Sequence, residues 1–171
     1  MRMRQATHED VPLITRWRDE AAQWLATKST DQWSNAGITR NEFEKRVHES
    51  IEERGTWIAE SDNGEPAATI SMDNHEDDPG LWQPDLLRES LVIHRMIVAR
   101  RYAGCDIGGF MLDYAESIAC SMGKKCLILD AWTTNLGLHN YYRAHGFAYI
   151  GIVPGHSTAS AALFTRPVSQ S

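Results

Sequence analysis

Apolar positions fall into short alternating runs and longer stretches with a helical period. Arg2–Gln5 alternates and is bounded by Thr7, which predicts a short first strand. Thr7-His8-Glu9-Asp10 sets an N-cap hydroxyl three residues before a carboxylate, a helix start of the capping-box type. Val11, Leu13, Ile14, Trp17, Ala21, Trp24 and Leu25 recur at helical spacing, so the first helix should run to about Leu25. A polar stretch, 27–37, carries Trp33, and Thr39 then caps a second helix with Phe43, Val47 and Ile51 on one face. Residues 55–60 and 66–72 read as two strands joined by a turn at Asn63-Gly64, the strongest hairpin signal in the chain. The acidic, turn-rich segment 73–84, with Trp82 inside it, reads as a loop.

Leu91–Val98 is a strand of mixed alternation, expected at the centre of a sheet. A glycine-rich turn, 104–109, leads to a helix with Phe110, Met111, Tyr114, Ile118 and Met122 that stops at Gly123. Cys126–Ala131 reads as a buried strand and Asn135–Ala144 as a short helix ended by Gly146. Two strands follow, near 148–153 and 161–166. The order β-α-α-β-β-β-α-β-α-β-β has no internal repeat and no linker, so a single mixed α/β domain over 1–171 is expected.

Composition narrows the classes. The 171 residues are 42% hydrophobic and 23% charged, a globular balance with enough chain to bury a core. No apolar run approaches the ~20 residues a membrane-spanning helix needs. The start of the chain lacks the apolar segment of a secretory signal. With 17 basic and 23 acidic side chains the net charge is −6, and no basic stripe offers a surface for nucleic acid. Three cysteines, Cys105, Cys120 and Cys126, form no CxxC pair, which suits a reducing, cytoplasmic setting. His8, His48, His75, His139, His145 and His156 are scattered without metal-ligand spacing and are expected at the surface or at helix ends. No metal site is expected.

Chemistry concentrates after the central strand. Val98-Ala99-Arg100-Arg101-Tyr102-Ala103-Gly104-Cys105-Asp106-Ile107-Gly108-Gly109 joins strand to helix through glycines. Such a turn offers backbone N–H groups at the positive end of a helix dipole, and glycine lets an anion approach closely. A diphosphate is the natural guest. The competing reading is an ordinary strand-to-helix connection, since neither a Walker lysine nor GxGxxG is present.

Asp130-Ala131-Trp132-Thr133-Thr134-Asn135 closes a later strand, with Leu138, Tyr142 and Gly146-Phe147 beyond it. With 98–109, this pattern resembles the GNAT superfamily of acyl-CoA-dependent N-acyltransferases. The family loop Arg/Gln-x-x-Gly-x-Gly/Ala aligns with Ala103–Gly108, and its Asn…Ala…Tyr-x-x-x-Gly-Phe pattern with Asn135, Leu138, Tyr142 and Gly146-Phe147. The resemblance implies a mixed, mostly antiparallel central sheet of about seven strands with about four helices. Two departures stand out: Ala103 replaces the usual Arg/Gln, and Asp106 the usual middle glycine. A carboxylate at 106 repels a diphosphate unless it points to solvent, and Arg100 and Arg101 are placed to restore positive charge.

The resemblance implies acetyl-CoA (coenzyme A) as acyl donor. Met96, Ile97 and Val98 would pair their backbone with its pantetheine arm. Ala103, Gly104, Cys105, Asp106, Ile107, Gly108 and Gly109 would hold the diphosphate. Asn135 would lie near the arm; its plainer role is to cap the helix it begins, and both can hold at once. Tyr142 matches the family's general acid, facing the departing thiolate. A core aromatic is its alternative, a role expected rather of Tyr141.

A protonated amine cannot attack a thioester, so a base is required. His94 lies on the cofactor strand with the parity of Met96 and Val98, and serotonin-acetylating members have a histidine at a similar position. An imidazole suits the task. A hydrogen-bonded core histidine is the equal alternative, and Glu89 and Asp130 are reserves. Trp24, Trp33 and Trp82, with Asp77, Asp78 and Asp130, suit recognition of a cationic amine, against the plainer reading of core plugs and a solvated loop.

The expected activity is N-acetyl transfer to a primary amine, first of a small molecule and second of a protein or peptide, by direct attack. Cys105 sits in the phosphate turn, away from the reacting carbon, so it is not expected as a covalent nucleophile. A different class, a degenerate domain that binds acyl-CoA as a sensor, remains open because of Ala103 and Asp106. A homodimer is left open as well.

Overall fold

The computed structural model describes residues 1–33, 38–155 and 160–169. Its strands are β1 (Arg2–Gln5), β2 (Thr56–Glu60), β3 (Pro66–Asp73), β4 (Ser90–Val98), β5 (Cys126–Ala131), β6 (Ala148–Ile152) and β7 (Ala162–Pro167). Its helices are α1 (Val11–Leu25), α2 (Arg40–Glu52), α3 (Pro84–Glu89), α4 (Ile107–Ser121) and α5 (Leu136–Ala144). The strands form one sheet in the order β1-β2-β3-β4-β5-β7-β6, with β4 in the middle. β4 and β5 run parallel, while β1/β2, β2/β3, β5/β7 and β6/β7 are antiparallel. This is the mixed, mostly antiparallel sheet expected. α3 is additional to the expected elements: with six residues it is too short to show a helical period, although Pro84 at its first turn is a fair start signal. Residues 34–37 of the polar stretch, and His156, lie outside the described residues.

By Cα packing the chain divides into two compact units, 1–71 with 95–111 and 72–94 with 112–171. In the first, β1 is anchored by charge. Arg4 donates to both oxygens of Asp10 at 2.8 Å and to Glu60 at 2.6 Å, while Arg2 reaches Glu60 at 2.7 Å. The Thr7 N–H donates to Asp10 at 2.8 Å, so the carboxylate closes the turn that leads into α1. Burial alone would raise the Asp10 pKa, but Arg4 and Thr7 outweigh it and hold the carboxyl below its usual range. α1 and α2 lay Val11, Ile14, Trp17, Phe43, Val47 and Ile51 against Ile58 and Ile97. Thr39 accepts from the Glu42 N–H at 3.2 Å and starts α2 as expected. Gly64 takes φ +77°, the left-handed conformation the hairpin turn demands.

In the second unit, Leu81, Trp82, Val92, Ile128 and Leu163 form a core. Arg166 donates to the carbonyls of His145 and Leu112, each at 3.0 Å, and to Glu116 at 2.9 Å, joining α4, α5 and β7. His139 corrects the expectation of a surface residue. It is buried, its Nε2 lies 2.9 Å from the Trp132 carbonyl, and its ring meets Phe164 edge-on. An imidazole with its polar atom satisfied packs as a core aromatic.

Candidate active site

The first unit holds the glycine turn. Ile97 is buried in the α1/α2 core, whereas Met96 and Val98 are half-buried. After Ala99 the chain makes one 3-10 turn, Arg100–Tyr102. The N–H groups of Ala103 and Cys105 donate to the carbonyls of Arg100 (3.1 Å) and Tyr102 (3.2 Å). These bonds narrow the expected cradle, because the Cys105 N–H is already engaged. Gly104 (φ +83°) and Asp106 (φ +51°) bend the backbone into α4, and the Asp106 carbonyl accepts from the Phe110 N–H at 3.2 Å. The N–H groups of Ile107, Gly108 and Gly109 therefore precede the first helical bond of a fifteen-residue helix. That is the geometry an anion needs, so the turn fits a diphosphate. Ala103, Gly104, Cys105 and Asp106 are exposed, and Ile107, Gly108 and Gly109 are buried.

The two arginines beside the turn differ. Arg101 donates to the Pro66 carbonyl at 3.2 Å and pairs with Glu65 at 3.5 Å, so it is tied to the β2–β3 hairpin. Arg100 lies over the Trp24 ring, 4.0 Å from its centroid. Trp24 is 40% exposed and plugs no core. Trp33 packs, half-buried, against the α1/α2 core.

The second unit holds the titratable groups. Nε2 of His94, near the middle of β4, lies 3.0 Å from Asp73 Oδ1 and 3.1 Å from the His75 carbonyl oxygen. Nδ1 of the same ring lies 3.7 Å from Asp77 Oδ2. Asp130 on β5 accepts from the Ser160 hydroxyl at 2.6 Å. Its carboxyl is buried deeply enough to raise its pKa, against the lowering effects of Ser160 and nearby His94; Asp77 and Asp78 add to the rise. Glu76 is turned aside, accepting from the N–H groups of Gly80 (2.8 Å) and Trp82 (2.9 Å). Trp82 itself is buried in the core of this unit, as the plainer reading held. Glu89, a reserve base, pairs with Lys125 at 2.6 Å.

Tyr142 is 6% exposed, with its ring against Phe147 and Phe164. Burial above all, then Tyr141 and the Asp130 carboxylate, push its pKa well above the ordinary phenol value. The phenol thus carries its proton throughout the neutral range. Tyr141, expected in the core, is instead half-exposed, and its ring lies tilted against that of His145 with centroids 4.4 Å apart. Asn135 caps α5 by accepting from the Leu138 N–H at 3.0 Å.

One step of the sequence reading fails. Arg95 takes φ +46° within β4 and interrupts the two-residue alternation. The parity that linked His94 to Met96 and Val98 is therefore lost, and the surroundings of His94 rest on its own contacts. The sequence reading placed Asp73 at the head of the acidic loop and gave it no role at the site. It stands 21 residues from His94 at the end of a different strand, and nothing local distinguishes it from other strand-end acids.

Residues 17–147 match the sequence profile of the Acetyltransferase (GNAT) family. The chain belongs to that family and is an acyltransferase. It is similar to the uncharacterized N-acetyltransferase YesJ of Bacillus subtilis, with 31% identity over 148 residues covering 85% of this chain and 81% of the relative. A GNAT-family acetyltransferase from Streptococcus agalactiae shares the fold at TM-score 0.76 and 20% identity, over 99% of this chain and 96% of that one. Another, from Listeria monocytogenes, does so at TM-score 0.75 and 22% identity, over 97% and 94%. Members of the family use acetyl-CoA and act on amines. Among the described residues, no helix is long and apolar enough to cross a membrane.

Proposed function

We propose that the chain transfers the acetyl group of acetyl-CoA to a primary amine of a small cationic molecule, with His94 as base and Tyr142 as acid. The observation that carries this reading is the buried imidazole flanked by Asp73 and Asp77, with the Asp130 carboxyl in electrostatic reach. Carboxylates attract an ammonium group, and the ring beside them takes its proton. When bound, acetyl-CoA supplies a thioester whose carbonyl carbon bonds to the amine as its C–S bond breaks. The N–H groups of Ile107, Gly108 and Gly109 would hold its diphosphate, and the Met96–Val98 backbone would offer hydrogen bonds to its pantetheine arm.

Removing one proton from the ammonium to His94 frees the nitrogen lone pair for attack. Tyr142, kept protonated by burial, donates its proton to the departing sulfur. The proton shed as the amide forms replaces the one Tyr142 gave up, and His94 releases to solvent the proton it took from the ammonium. A thiol-release assay over monoamines, diamines, amino-acid amides and peptides tests the reading. Release with small cationic amines is expected. Turnover confined to peptides would move the acceptor to a protein, and acetyl-CoA binding without turnover on any amine would favour the sensor.

A further inference from the structure

We infer that Asp73 is a positioning residue that fixes which nitrogen of His94 is basic. The inference rests on the assignment of His94 as base and goes further by saying how the ring is set for that role. Nε2 faces two oxygens, Asp73 Oδ1 at 3.0 Å and the His75 carbonyl at 3.1 Å. A carbonyl can only accept, as can an ionised carboxylate, and a neutral imidazole carries one N–H. The proton therefore sits on Nε2, and Nδ1 holds the lone pair. The opposite tautomer would set that lone pair against both oxygens.

Exclusion of water makes this choice firm: the side chains of His94 and Asp73 are 4% and 9% exposed. Nδ1 faces Asp77 Oδ2 at 3.7 Å. An acceptor's ammonium held by Asp77 thus lies beside the nitrogen that takes its proton. Among the described residues, Asp73 at the end of β3 and Asp77 in the loop after it lie against the ring, and His75, exposed in that loop, pairs with Asp73. The Asp130 carboxyl on β5, itself in the field of Asp77 and Asp78, interacts with His94 electrostatically.

Long-range ¹H–¹⁵N NMR on the full chain, labelled at histidine, reads the tautomer without any substrate. An Nε2–H ring at His94 is expected, and an Nδ1–H ring would overturn the inference. Kinetics supply the second arm. Asp73→Asn removes the charge and can turn an amide N–H toward Nε2. The plateau of kcat/KM should fall about 10- to 100-fold, and the midpoint of its rising limb should move to lower pH, with KM for acetyl-CoA unchanged. Asp73→Glu should recover part of the loss. A pH profile for Asp73→Asn that superimposes on wild type would also overturn the inference. His94→Ala separates the layers. If its rising limb persists and follows the acceptor's own basicity, the base assignment falls and the positioning role with it. If the limb disappears while wild type shows Nδ1–H, the positioning role falls alone.

Discussion

The turn at 98–109 and the cluster around His94 solve opposite problems. The turn is consecutive in sequence, uses backbone N–H groups and tolerates changes of side chain: Ala103 and Asp106 depart from the family pattern while the turn into α4 remains. The cluster draws Asp73, Asp77, His94 and Asp130 from three strands and a loop, and their contacts run through side chains; the proton transfer proposed for it would depend on those side chains. Anion recognition by a helix start needs only conformation, whereas proton transfer needs particular atoms at particular distances.

Gly108→Val and Tyr142→Phe should therefore fail differently. A branched side chain at the start of α4 covers the N–H groups, and acetyl-CoA affinity should drop about 100-fold or more, the scale at which misplacing a bound group matters. Calorimetric titration, with circular dichroism as the check on folding, measures it. Wild-type affinity would remove the turn from the cofactor site. Tyr142→Phe leaves the ring packing against Phe147 and Phe164 and takes away only the proton. Turnover should fall roughly 100-fold with acetyl-CoA binding intact. If Tyr141→Phe had the larger effect, the acid would be the neighbouring phenol.

The same contrast explains what the sequence could and could not show. The strands, the Thr39 cap, the Asn63-Gly64 hairpin and the glycine turn are local, and their residues lie together in the chain. The short helix Pro84–Glu89 has too few residues for a period. Arg95 hid its left-handed backbone, since nothing about an arginine announces φ +46°, and the parity argument failed there. His139 was misread because its burial depends on a carbonyl seven residues away and on the Phe164 ring of β7. Asp73 became visible only through its contact with His94.

Asp130 sharpens the comparison from the side of stability. Burial raises its pKa in the folded chain, so ionising it costs stability. That cost is absent below the unfolded carboxyl pKa of about 4, grows as the pH rises and is complete above the folded value. Asp130→Asn keeps an oxygen for the Ser160 hydroxyl and removes the charge. At neutral pH its Tm should rise about 2–4 °C, the shift roughly 1 kcal/mol produces in a domain of this size, and the gain should vanish near pH 3. KM for cationic acceptors should rise in the same variant, since a carboxyl kept at a cost in stability is one retained for function. A thermal scan at several pH values, paired with acceptor kinetics, checks both. A Tm gain with unaltered acceptor KM would leave Asp130 outside the acceptor site.

The smallest expected effect asks to which region Trp24 belongs. Its sequence suggested an acceptor-binding aromatic, yet its ring lies under Arg100, 4.0 Å from the guanidinium carbon, beside the turn that fits the diphosphate. A cation over an exposed indole is worth about 0.5–1 kcal/mol, which corresponds to roughly a 2- to 5-fold change in an equilibrium constant. If the stack holds Arg100 for the phosphates, Trp24→Ala should raise KM for acetyl-CoA by that factor and leave acceptor KM alone. Arg100→Ala should do at least as much. The double variant should be no worse for acetyl-CoA than Arg100→Ala, because the guanidinium that the indole would hold for the phosphates is then already gone. Added salt should narrow every difference, as it screens an exposed charge. An acceptor KM that moves while the acetyl-CoA KM stays fixed would return Trp24 to the acceptor and separate Arg100 from the turn.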